Sequence, residues 1–186
     1  MNLSGELKVR LGYLKSRRDN HEQTWQEIND LMQPFRGDIT TKKGPGSKRI
    51  GAVFDTTAMA AADTFVNFLK SAVLPSSTDW LRLKARRFAD DLTVKGLLDQ
   101  AAMKILEALG DSNFYVSATQ ALRDFAILGN STLYVEEKPP ALREDGSTFG
   151  GLLFDAVPIE NMWWSMGKGN EVVLLAREME LPAADA

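Results

Sequence analysis

Eight residues near the N-terminus recur at a spacing that only a helix satisfies. Leu7, Leu11, Leu14, Arg18, His21, Trp25, Ile28 and Met32 follow one another at intervals of 4, 3, 4, 3, 4, 3 and 4. That lays them along one face of a 3.6-residue helix. Pro34 and Gly37 end the run, so the spacing predicts a single helix over residues 3–33. At 1.5 Å per residue such a helix is about 45 Å long. A chain of 186 residues makes one domain, or two small ones. Its core is too short to cover that helix from end to end. The stripe is apolar at both ends and polar at Arg18 and His21. Part of its apolar face is therefore expected to meet another subunit.

After the helix, residues 36–51 show neither helix nor strand period. They carry Arg36, Lys42, Lys43, Lys48 and Arg49 among four glycines and one proline, with Asp38 as the one acid. This is the composition of a basic, flexible loop. A second helix is expected over residues 55–74, with Asp55 or Thr56 as N-cap. Its small residues Ala58, Ala60, Ala61 and Ala62 permit close packing, and Phe65, Phe68, Leu69 and Val73 supply a bulky apolar face. Trp80 to Lys84 alternates, Leu81 and Leu83 pointing one way, and predicts a half-buried strand. A third helix is expected over 91–110, capped by Asp91, with Val94, Leu97, Leu98, Ala101, Ile105 and Leu109 on its apolar face. A fourth runs from Phe114 to Leu128 and stops at Gly129. Strands follow at Thr132–Glu137, Leu152–Val157, Met162–Ser165 and Glu171–Leu181, with turns between them. Helices first and strands after is an α+β pattern: a long N-terminal helix and helical layer, then a mainly antiparallel sheet. The expected organisation is the helix (1–35), the basic loop (36–51) and an α+β region (52–186), forming a single domain. No internal repeat is present.

Composition removes several function classes. The chain has no cysteine and one histidine, His21. Disulfide frameworks, cysteine–zinc sites, iron–sulfur clusters, thiol nucleophiles and two-histidine metal sites are excluded. No apolar run reaches the roughly 20 residues of a membrane span, and Met1 to Lys15 lacks a signal-peptide layout. The chain is expected in the cytosol, or in an assembly built there. Charge is uneven: residues 1–50 hold 10 basic and 6 acidic side chains, +4, and residues 51–186 hold 12 and 19, −7. A basic arm on an acidic body is one meaning of that asymmetry.

Individual sites were weighed in turn. Gly44-Pro45-Gly46-Ser47-Lys48 lacks the Gly-Lys-Ser/Thr order and the preceding strand of a phosphate loop, and reads as a surface loop. His21 has no second ligand for a metal and sits on the helix stripe, which favours an interface or a hydrogen-bonded position over general-base work. Asp90-Asp91 diverge as neighbours, and capping suits Asp91 better than paired-carboxylate chemistry. No catalytic residue, metal site or cofactor is assigned. The loop cations Arg36, Lys42, Lys43, Lys48 and Arg49 are the candidate nucleic-acid or inter-subunit contact; five cations can neutralise several phosphates, although no aromatic side chain is interleaved for base stacking. Trp25, Trp80, Trp163 and Trp164 are the candidate interface anchors. Neighbouring Trp163 and Trp164 face opposite sides of a strand, one toward the core and one toward an edge.

The order of these segments resembles one family. Arg17-Arg18 precedes Trp25-Gln26-Glu27-Ile28 and then the turn from Leu31 to Gly37. Val53 to Ala58 leads into an alanine-rich helix ending at Pro75, with Trp80-Leu81-Arg82-Leu83 after it. Ser112-Asn113-Phe114-Tyr115, Asp124 to Gly129, Thr132 to Glu136, Val157-Pro158-Ile159-Glu160 and Arg177 to Leu181 continue the likeness. From about Arg17 to Leu181 the chain resembles the head-to-tail connector, or portal, proteins of short-tailed double-stranded DNA phages. The resemblance implies a portal wing-like fold and a non-enzymatic structural subunit, one of a homo-oligomeric ring of twelve in the intact protein. Such a ring sits at one capsid vertex of the virion, is assembled in the host cytoplasm, docks the terminase motor and later the tail proteins, and passes double-stranded DNA through its channel. No membrane partner is implied. Portal subunits are longer, so the chain corresponds to their N-terminal part, ahead of the stem and clip. Pro182 to Ala186 directly follows a strand, which reads as a cut rather than a finished terminus. The alternative function is a small DNA-binding module acting through the loop at 36–49.

Overall fold

The computed structural model describes residues 3–40, 42, 44, 46–47, 53, 55–75, 77–87, 91–139 and 150–179. Four α-helices come first: α1 (Leu3–Met32), α2 (Thr57–Val73), α3 (Leu92–Gly110) and α4 (Phe114–Leu128). The strands β1 (Thr132–Glu137), β2 (Leu152–Val157), β3 (Met162–Met166) and β4 (Val172–Arg177) follow, with a single 3₁₀ turn at Ile159–Asn161 before β3. The strands pair as two antiparallel two-stranded sheets, β1 with β2 and β3 with β4. The fold is α+β, with the long helix at its N-terminus.

Two compact units share the chain. The first takes in residues 1–62, 127–132 and 157–186, the second 63–126 and 133–156. In the first unit, Ala62, Ile127, Leu128 and Ile159 form a buried cluster under Trp25, Ile28, Met32, Ile39 and Trp164. Leu14 of α1, only 1% exposed, is among its most buried side chains. β3 and β4 form a hairpin in which Trp163 faces Ala176 and Trp164 faces Leu175, with an irregularity between Ser165 and Met166. Asn170 closes its turn at φ 56°, a left-handed conformation that asparagine tolerates better than most residues.

The second unit is built round Leu109, Phe114, Ala118 and Phe154, with Leu74, Trp80, Tyr115, Leu133 and Leu152 packed against them. Phe114 meets Phe154 edge-on, with ring centroids 5.1 Å apart, a favoured aromatic geometry. Asp91 caps α3, its carboxylate accepting from the Thr93 and Val94 N–H groups. At the start of α2, Asp55 Oδ1 accepts from the Thr57 N–H and hydroxyl at 2.9 and 2.7 Å. These hydrogen bonds, the hydroxyl's foremost, hold the Asp55 carboxyl below its ordinary pKa. Gly129, at φ +74°, ends α4 as a left-handed residue should.

Three sequence expectations need correcting. Trp80 to Lys84 is not a strand: no described strand pairs with it. The bulky face of α2 is not the buried one: Phe65 and Phe68 are 50% and 64% exposed, while Ala62 and Val66 are buried. On α3, Leu109 of the expected face is buried, but Leu97 and Ile105 of that face are exposed, and Ala102, outside it, is buried. In both helices apolar residues spread beyond a single stripe. Periodicity then locates the helix without saying which side the core takes.

A side chain completes β2 where no strand does. Asn113 Oδ1 accepts from the Phe154 N–H at 2.8 Å, and Asn113 Nδ2 donates to the Phe154 carbonyl at 2.6 Å. The Ser117 hydroxyl donates to the same carbonyl at 2.8 Å. Asn113 thus copies the N–H and C=O of a neighbouring strand. Asn113→Leu leaves the Phe154 N–H without this acceptor, and is expected to lower stability by about 1–3 kcal/mol in urea unfolding. Ser117→Ala, which leaves the carbonyl its bond from Asn113, is expected to cost about 1 kcal/mol or less.

Candidate functional site

Arg18 stands in the apolar stripe of α1 because it has work to do below the surface. It is 6% exposed. Its Nη1 donates to the carbonyls of Ile159, Glu160 and Met162 at 2.8, 3.0 and 2.7 Å. These carbonyls belong to the 3₁₀ turn and the first residue of β3, where a helix end leaves oxygens without intrahelical donors. On its other side, Nε lies 2.7 Å from Glu22 Oε1. That contact is an ion pair without an aligned hydrogen bond, since the Nε–H finds no acceptor. The guanidinium also lies over the Trp163 ring, 5.1 Å from its centroid, and Lys15 Nζ over the same ring at 5.2 Å. Burial lowers the Arg18 pKa, opposed by the charges of Glu22 and Glu160. Arginine starts so high that it stays charged.

The same stretch of α1 holds the segment after it. Gln26 Oε1 accepts from the Ile39 and Thr40 N–H groups at 2.7 and 2.9 Å, and its Nε2 donates to Asp30 Oδ1. Asn29 Nδ2 donates to the Gly37 carbonyl at 2.7 Å. From the 3₁₀ turn, Glu160 Oε2 accepts from the Asp38 N–H. A Cβ on residue 37 would stand 2.5 Å from Glu160 Oε2, so a side chain there would push the Glu160 carboxylate off the Asp38 N–H. Burial raises the Glu160 pKa; the Asp38 N–H and the charges of Arg36 and Lys42 oppose the rise, while the Asp38 charge adds to it.

Next to Arg18 is a cavity of about 550 Å³ with Arg17, His21, Trp25, Asn130 and Trp164 in its lining. Three rings stand in a ladder along one wall. His21 stacks on Trp25 at 5.5 Å, and Trp25 on Trp164 at 5.9 Å. Arg17, Arg18 and His21 line the cavity, and among the described residues no carboxylate does. Among the described residues, no group of three metal-ligating side chains lies together, and no helix is long and apolar enough to cross a membrane.

The candidate residues from the sequence scatter accordingly. Trp25, Trp163 and Trp164 gather round α1 and β3 in the first unit; Trp163 is buried and Trp164 half-buried. Trp80 belongs to the second unit, where its Nε1 donates to the Tyr115 hydroxyl at 3.2 Å. His21 is exposed and stacked. Of the loop cations, Arg36 is half-buried and Lys42 exposed; Lys43, Lys48 and Arg49 lie outside the described residues. Sequence reasoning marked Arg18 as a polar break but missed its three carbonyls. It missed Gln26, Asn29 and Glu160 as clamps altogether. The signal for Arg18 was the charge itself, since a cation inside an apolar stripe is rarely buried unless partnered.

Two measurements check this arrangement. Arg18→Ala takes a donor from three carbonyls, of which that of Ile159 keeps the Met162 N–H, and takes the ion partner from Glu22; it is expected to cost about 3–5 kcal/mol in urea unfolding; Arg18→Lys, without the planar stack on Trp163, falls between. For Glu160 the sign follows from its raised pKa. The carboxylate is disfavoured in the folded state, so its cost is fully present above the folded pKa and fades as pH falls toward the unfolded value near 4.5. Glu160→Gln keeps an acceptor for Asp38. It is expected to equal or exceed the natural protein in stability at pH 7, by less than about 1 kcal/mol given its half exposure. The difference closes toward pH 4 in a pH series of unfolding curves.

Comparison with known proteins agrees with the segment order. The family model of the bacteriophage head to tail connecting proteins matches residues 4–186, and the chain belongs to that family. No curated protein matches the chain.

Proposed function

From membership of the head to tail connecting family, we propose that this chain is a portal subunit. It forms a ring at one capsid vertex, through which DNA is packaged and later released and to which the tail attaches. The family match over residues 4–186 carries this reading. A phage structural role follows from the family itself; the ring, its twelve-fold number, the terminase partner and the passage of DNA are the proposal.

The surface of the chain supports it. In the second unit Phe65, Phe68, Leu92, Leu97, Val116 and Phe125 are each at least half exposed. In the first unit Leu7, Tyr13, Leu31 and Phe35 are too. Single exposed apolar residues are ordinary, but repeated ones along the same helices mark surfaces that other molecules cover. A closed ring uses one contact between unlike faces, repeated until it closes. A −7 body and a +4 N-terminal stretch give the opposite charges such a contact uses. The reading as a DNA-binding module has only the loop cations behind it, and Lys42 is the one exposed among those described.

Light scattering on a sizing column at moderate salt tests the ring. The expected mass is near twelve times 20.6 kDa. Phe68→Asp, placed on an exposed face, is expected to leave the circular dichroism spectrum unchanged and shift the mass toward the monomer. A natural chain that stays monomeric at every concentration overturns ring closure by this chain. Duplex DNA binding that falls steeply with salt, and that Lys42→Ala/Lys43→Ala/Lys48→Ala/Arg49→Ala abolishes, would favour the DNA-binding module instead.

A further inference from the structure

Residues 81–85 have the burial period of a strand without a strand's hydrogen bonds. Leu81, Leu83 and Ala85 are half-buried, and Arg82 and Lys84 between them are exposed. Among the described residues, no N–H or C=O of residues 81–85 takes part in a hydrogen bond. Buried backbone groups are nearly always paired in folded proteins. A row of unbonded ones along a segment with a strand's burial period is a template for a strand from another chain.

The surroundings of this edge say what kind of strand fits. A cavity of about 310 Å³ runs between it and α3, with Leu83, Val94 and Leu98 among its apolar walls and Lys84 and Lys95 beside them. Strand addition draws affinity from main-chain bonds and selectivity from such pockets for alternate side chains. Arg82, Lys84, Arg86 and Arg87 put four cations into six residues. Like charges directly opposite each other disfavour pairing of this edge with its own copy. They favour an acidic strand.

We propose that residues 81–85 accept strand β1 of a second copy of this chain. β1 ends in Glu136 and Glu137, both exposed, and its Val135 is 48% exposed, an apolar side chain of the size the cavity takes. Among the described residues β1 pairs only with β2, in a sheet of two strands. Its six residues match the five of the open edge. Within one chain no described hydrogen bond joins the two segments. The choice of a second copy rests on the assembly reading above; the acidic character of the strand rests on the edge alone.

Charge exchange on the full chain tests it. Arg82→Glu/Lys84→Glu and Glu136→Lys/Glu137→Lys, all on exposed side chains, are each expected to weaken self-association several-fold, because Glu136, on the strand face opposite Glu137 and Val135, meets the face of Arg82 and Lys84 and that cross-strand charge pair turns repulsive. Combining the four changes is expected to restore most of it. Hydrogen exchange gives the second readout: amides of residues 81–85 slow down in the associated protein and exchange freely when it is dilute. Leu83→Pro, which removes a ladder donor, is expected to abolish association while circular dichroism reports the fold. A ring whose residues 81–85 still exchange freely, or which both charge reversals leave intact, overturns this inference and leaves the assembly reading standing. Closed dimers with residues 81–85 protected overturn the ring and leave this inference standing. A chain that is monomeric at every concentration overturns the inference outright.

Discussion

The first unit depends on one buried cation. Arg18 donates to three carbonyls within four residues of the chain, Ile159, Glu160 and Met162. Without it the carbonyls of Glu160 and Met162 lose this donor, and that of Ile159 keeps the Met162 N–H. The guanidinium can be placed there because Glu22 lies beside it and the Trp163 ring beneath it. A buried charge with this many partners tolerates little displacement. It therefore fixes both the rotation of α1 and the height at which β3 meets it. An apolar contact would allow α1 to slide by a turn; a cation over three fixed oxygens does not.

The rest of α1 repeats the device about two and three turns further on. Gln26 and Asn29 reach the backbone of Gly37, Ile39 and Thr40, and Glu160 holds Asp38 from the opposite side. In the second unit Asn113 and Ser117 do the same for Phe154. A two-stranded sheet is marginal by itself, and each strand here has a neighbour on one side only among the described residues. For β2, Asn113 just ahead of α4 and Ser117 within it supply the donors and the acceptor that a further strand would give. The units are thus held by polar clamps as much as by apolar clusters, and the clamps decide register.

What could be read in the sequence divides along the same line. The positions of α1, α3 and α4 follow from local periodicity and from Asp91 and Gly129, which act within a turn of where they sit. The strand bounds of β1 and β2 follow from turn residues and alternation. The buried faces of α2 and α3 do not follow, because Phe65, Phe68, Leu97 and Ile105 are as apolar as the residues that are buried. Pairing across more than a hundred residues, as between Arg18 and Ile159, leaves no local trace beyond a cation in an apolar row. The alternation at 81–85 was legible, but alternation reports half-burial and not the presence of a neighbouring strand.

Exposed phenylalanines, a strand-like edge without a ladder and a long helix covered only in part are faults in a solitary protein. They are tolerable in a subunit. An exposed aromatic side chain that a neighbour buries contributes to assembly in proportion to the area removed from water. An open edge that would invite aggregation is safe when it carries charges that reject its own copy and accept another strand. The four cations at 82–87 meet that condition. In the proposed assembly, folding and closure would use different parts of the chain. Arg18, Gln26, Asn29 and Asn113 hold each unit from within. The exposed faces of α2, α3 and α4, together with the edge at 81–85, would be left for a neighbour. That separation would place the determinants of assembly at residues whose loss need not unfold the monomer.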